Sequence, residues 1–207
     1  GDWFRGDAWT PDAQDDFERR LRRARPGNRP QYLRIKGLGL QEGGNVEGAR
    51  ALWNRVLDDP ESSWVERAAT TEHLGDSYCS ESPAIAAEYY RKVSDLSPTL
   101  SGTTGTHHLK LAMLLLDTGG DADLTEVGEL LSWWVENAHQ PFPSAHFTWN
   151  VAYIRWAQAL GDDESARRGA RRALEWASRG PVFPRHPTVG LVHADDATLE
   201  WLRSLAS

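Results

Sequence analysis

Residues 30–60 read PQYLRIKGLGLQEGGNVEGARALWNRVLDDP. Leu33, Gly37 and Leu40 recur at helical spacing, and Gly43-Gly44 stops the run. A second run carries Val46, Ala49, Trp53, Val56 and Leu57 and ends by Pro60. The stretch therefore predicts two helices joined by a tight turn, with a small residue in each where they cross. Gly37 costs a helix about 1 kcal/mol relative to Ala, so a packing role is expected for it.

Working outward, the same arrangement recurs. Gly37 is followed by Ala49, Gly75 by Ala86, Ala112 by Gly128 and Ala157 by Ala166. Helix pairs at such a period mark an α-solenoid, whose usual work is binding. The predicted pairs are 30–60, 63–98, 104–138 and 144–178. Ser63-Trp64-Val65-Glu66 has capping-box spacing, and Ser82-Pro83 opens the partner of that helix. The run from Leu109 to Leu116 is largely apolar and predicts a helix buried on more than one side, Gly119-Gly120 breaks it, and Asp123 is expected to cap a helix over 124–138. Asp162 or Asp163 caps the helix over 163–178.

The flanks read as caps. Residues 1–29 comprise a short arm with Trp3, Phe4 and Trp9, then a helix over 11–25 that starts at Thr10-Pro11-Asp12. Residues 181–194 hold Pro181, Pro184 and Pro187 and are expected to be irregular, with at most a very short strand over Val189 to Val192. A last helix over about 195–206 shields the final pair. The expectation is one all-α domain over 1–207, about ten helices in a right-handed solenoid of antiparallel pairs.

Bulk composition narrows the function. The net charge of −7 opposes nucleic-acid binding, which is not expected. The 20 Arg against 3 Lys resemble the codon usage of a GC-rich genome. Most of the ten Trp are expected to fill gaps between helices. Cys79 is the only cysteine, which fits a reducing compartment, and the expectation is a cytoplasmic protein. No apolar run reaches membrane-spanning length, so no membrane partner is expected. The opening Gly1-Asp2-Trp3, without Met, reads as a trimmed chain or a piece of a longer one.

Residues 30–60 resemble a tetratricopeptide repeat through Leu33, Gly37, Leu40, Gly44, Ala49, Trp53 and Pro60 in order. Residues 68–98 follow with Leu74-Gly75, Tyr78, Ala86, Tyr90, Val93 and Pro98, one residue short in the turn. Over 147–178, Gly161, Ala166, Ala170 and Ala173 fit, but Ile154 stands where a small residue belongs; 105–138 is the weakest. The second-helix small residues 49, 86, 128 and 166 lie 37, 42 and 38 apart, longer than the family period of about 34. The resemblance implies that first helices line a concave face, and carries partner-binding positions to Gln31 and Arg34, Glu72 and Asp76, and Arg155 and Gln158. The third pair offers Leu109 and Met113. Such a groove suits an extended peptide or partner helix. The family's clamp for acidic C-terminal tails is not expected, because Arg34 and Leu38 stand at the places of its Lys and Asn.

Other clusters point to structure. The eight basic residues between Arg19 and Lys36 follow Asp12, Asp15, Asp16 and Glu18, which pair with them at helical spacing. Arg167 to Arg172 form the wet face of a helix. Adjacent His107 and His108 diverge, and no acid or Cys completes a metal set around His139 and His146. Cys79 has no base at a telling spacing, so no catalytic residue or cofactor is expected. Of Trp133 and Trp134, both cannot face one narrow stripe. The leading expectation is a non-enzymatic protein- or peptide-binding scaffold or adaptor. The alternative is the sensor domain of a larger signalling protein or transcription regulator. Array ends and exposed Trp also suit a homo-oligomer.

Overall fold

The computed structural model describes residues 2–139 and 141–207. Among them are ten α-helices and no strand: α1 Pro11–Arg23, α2 Arg29–Glu42, α3 Val46–Asp58, α4 Trp64–Tyr78, α5 Pro83–Leu96, α6 His107–Thr118, α7 Asp121–Asn137, α8 Pro143–Ala159, α9 Asp163–Ala177 and α10 Asp196–Ala206. The chain divides into two compact units, residues 1–107 and 108–207.

Local chemistry sets most helix starts. The hydroxyl of Thr10 accepts the amide of Ala13 at 3.3 Å, and that of Ser63 accepts Glu66 at 3.2 Å. Carboxylates do the same for α9 and α10: Asp162 accepts from Ser165 at 3.0 Å and Asp195 from Thr198 at 2.7 Å. The start of α7 differs from expectation. The helix begins at Asp121, and Asp123 sits in its first turn, reaching back to the Gly120 amide at 3.2 Å. The carboxylate satisfies an orphan donor from inside the helix rather than from the cap position.

In the first unit α2 packs on α3, α3 on α4 and α4 on α5. Its core joins Phe17, Leu21, Leu33, Leu40, Leu52, Trp53, Val56 and Leu74. Gly37 lies under the Trp53 ring, and a Cβ added there would collide with the indole. Side chains lean toward the preceding turn of a helix, so a missing one uncovers the carbonyl three or four residues back. Trp53 uses this opening: its Nε1–H donates to the Arg34 carbonyl at 3.1 Å. Gly75 faces Tyr90 in the same way, with 2.7 Å between an added Cβ and the ring.

In the second unit α7 packs on α8, α8 on α9 and α9 on α10. Gly128 lies under Trp156, whose Nε1–H donates to the Leu124 carbonyl at 2.7 Å. Between α8 and α9 the large residue is Ile154, fully buried against Gly169, Ala166, Ala170 and Ala173. Leu202 of α10 joins that core, and Arg171 donates to the Ala206 carbonyl at 3.2 Å. Residues 189–192 form no strand. The Gly190 carbonyl instead accepts the Ser144 amide at 2.9 Å, with Gly190 pressed on Phe142 at the start of α8. Trp134 is buried, whereas Trp133 is half-buried and stacks on His108 with 4.1 Å between ring centres.

Candidate functional site

The six residues singled out on first helices fall into three environments. Gln31 and Gln158 are exposed. Arg34, Asp76 and Arg155 are half-buried and already engaged. Glu72 is enclosed.

On α2, Arg34 Nε donates to Glu66 of α4 at 2.6 Å, and both side chains are less than a fifth exposed. The pair ties neighbouring helices together, so Arg34 is committed before any partner arrives. On α4, Glu72 is 1 % exposed and corrects the expectation of an accessible position. Its carboxylate accepts the Thr104 amide at 2.8 Å and also the Thr104 hydroxyl. A buried carboxylate requires such donors. This one pins the loop before α6 onto α4.

Asp76 accepts the Tyr90 hydroxyl at 2.7 Å. Burial, the Asp76 charge and the bonds to Cys79 and Asp76 push the Tyr90 phenol far above its usual range, so it remains a donor. Its single proton goes to Asp76, and the Cys79 sulfur lies 3.0 Å from the Tyr90 oxygen and 3.5 Å from the Gly75 carbonyl, the two acceptors within reach of the thiol hydrogen. Cys79 thus sits beside one phenol, the Tyr90 hydroxyl that Asp76 holds.

On α8, Arg155 donates to Asp117 of α6 at 2.7 Å and reaches Met113 Sδ at 4.0 Å. Arg155 and Gln158 line one hollow of about 370 Å³ with Leu115, Leu116, Gly119 and Gly120. This is the place where two of the expected residues come together. The hollow offers a cation already balanced by a carboxylate, an amide and an apolar floor. Those groups suit a polar main chain or a short side chain and supply no nucleophile. Leu109, considered as a groove residue, is fully buried, and Met113 is half-buried.

No group of three metal-ligating side chains occurs among the described residues. His107 Nε2 lies 3.1 Å from the Ser94 hydroxyl, and His146 stacks on Trp176 with 4.1 Å between ring centres. No helix among the described residues is long and apolar enough to cross a membrane.

Sequence reasoning missed Lys36. It is 4 % exposed and donates to the carbonyls of Gly6 at 3.0 Å and Ala8 at 2.9 Å. A signal was present: a lysine on the apolar face of α2, beside Gly37 and Gly39. The sequence matches no protein-family model and no curated protein.

Proposed function

We propose that this chain is a tetratricopeptide-like array of antiparallel helix pairs, wound right-handed, that binds a protein or peptide without catalysing a reaction. The observation that carries this reading is the shared construction of α2–α3 and α8–α9. In each, a glycine with left-handed backbone ends the first helix, Gly44 at φ +84° and Gly161 at φ +74°. The next residue donates its amide back into the first helix: Asn45 to Leu40 at 2.8 Å and Asp162 to Ala157 at 2.8 Å. Its side chain then caps the second helix, on Gly48 and Ser165 respectively. Repetition of one turn at two distant places is what a repeat architecture needs. Binding falls to the hollow beside α8, where Arg155 and Gln158 meet.

The test is selection of short peptides from a displayed random library on the immobilised full chain. A shared motif should emerge, and Gln158→Glu with Arg155→Ala should weaken it at least about ten-fold, the size of one lost polar contact. Arg34 is a poor probe, because its removal strands Glu66. Failure to select any motif, or equal binding by the double variant with an unchanged melting curve, would reject the site.

A further inference from the structure

Residues 2–10 have no helix of their own and lie as a strap along α1 and α2. The strap is held as a bound peptide is held, by its main chain and a few anchors. Phe4 stacks on Tyr32 with 4.6 Å between centres, and Trp3 meets Tyr32 and Phe17 at 5.2 and 5.4 Å. Trp9 meets Phe17 at 5.6 Å, and its carbonyl accepts Gln14 Nε2 at 2.9 Å. Between these anchors Arg5, Gly6, Asp7 and Ala8 are exposed.

The helix beneath is shaped for a backbone. Tyr32, Lys36, Gly39 and Gly43 share one face of α2 by spacing. A Cβ on Gly39 would strike the Gly6 carbonyl, and one on Gly43 would come within 2.5 Å of Asp7 Cβ. Gly39 lies inside the helix, where a glycine costs about 1 kcal/mol, so it is held there against propensity; Gly43 follows the last helical residue, where glycine carries no such cost. Lys36 lies buried about one turn before Gly39, donating to the Gly6 and Ala8 carbonyls, with its ammonium 5.4 Å from the Trp9 ring centre. Sealing a helix face needs only apolar residues. A buried ammonium committed to main-chain carbonyls instead reads peptide backbone.

We propose that this α1–α2 face is a docking site for an extended Trp-Phe-x-Gly-x-x-Trp segment, filled in cis by residues 3–9 and in trans by the same segment of a second copy. The aromatic anchors and Gly6 give the selectivity; Gly6 has φ +84°, a conformation open chiefly to glycine. A second copy supplies the matching groups by identity, and the exchange preserves every contact of the site at the cost of a hinge at Thr10. The proposal uses no residue of the α8 hollow and stands or falls separately from it.

The test uses the full chain and a fluorescent peptide of residues 2–10. A Phe4→Ala/Trp9→Ala chain, whose own strap is weakened, should bind the peptide saturably and about ten-fold more tightly than wild type, which must first release its strap. Adding Gly39→Leu should abolish that binding while the circular dichroism spectrum stays helical. Acylation of Lys36 should be slower than that of exposed Lys92 in wild type, and should accelerate in the weakened chain. Two differently tagged wild-type chains should co-purify at high concentration and be separated by excess peptide. No peptide binding by the weakened chain, equal affinity for both chains, binding that survives Gly39→Leu, or tagged chains that never co-purify would overturn the proposal.

Discussion

The pairs α2–α3 and α8–α9 are joined by the same turn but put their bulk in opposite helices. Counting back seven residues from the turn glycine gives Gly37 in the first pair and Ile154 in the second. Counting forward nine gives Trp53 and Ala170. The large residue is fully buried in both cases. Crossing helices thus require one small and one large side chain at this level, while the choice of helix is free. The choice has a chemical consequence. A large residue that is Trp brings an N–H needing an acceptor, and the glycine opposite uncovers one; Ile154 brings no such requirement.

The comparison can be broken most directly at Trp53. Trp53→Ala should cost about 4 kcal/mol in urea unfolding, near the range for buried Trp truncation. Gly37→Leu should cost roughly 3 kcal/mol, because it displaces the indole and orphans its N–H. Combined, the two should lose about 1–2 kcal/mol less than their sum, since the leucine gains the space the indole leaves. Strict additivity would sever the supposed link between these positions. In the second pair, Gly169→Leu should cost about 2 kcal/mol, and Ile154→Ala in the same chain should recover part of it. A Gly169→Leu chain as stable as wild type would show that α8 and α9 do not meet closely there, although an added Cβ lies 2.7 Å from Ile154 Cγ1.

The smallest effect concerns the caps. Hydrogen bonds from the Ser165 side chain and then its amide hold the Asp162 carboxyl below its ordinary range, and Thr198 does the same for Asp195. A folded-state value below the unfolded one gives stability that is present above the ordinary carboxylate range and lost as pH falls through the folded value. Asp195→Asn keeps an acceptor at the cap, so its melting temperature should vary less with acid than that of wild type. Parallel acid profiles for the two chains would remove the carboxylate from this role.

Much of the helix layout was legible because its signals are local. Thr10 and Ser63 cap helices where their types and positions imply, and of the two candidates Asp162 and Asp163 it is Asp162 that caps α9. Gly37 announced its crossing through its cost to the helix. The start of α7 was misplaced because Asp123 serves equally well at the cap or within the first turn, and spacing does not separate the two. The candidate site was less legible. Glu72 and Thr104 are 32 residues apart, and no periodicity records that a carboxylate will be closed over by a distant loop. Arg34 presented the same difficulty, since its partner Glu66 belongs to the next helix pair. Lys36 was hidden by its own type: a lysine is usually wet, and its burial depends on the carbonyls of Gly6 and Ala8, far from it in sequence.

Arg67 shows what the excess of arginine is used for. Its guanidinium donates to the carbonyls of Leu57 at 2.5 Å, Asp59 at 2.8 Å and Ser62 at 3.2 Å, binding the end of α3 and the following turn to α4. Three acceptors spread around one planar group match a fork of fixed N–H directions, which a lysine ammonium does not offer. Lysine would be an unequal substitute at this corner: one ammonium could not hold the end of α3, the turn and α4 together from a single plane.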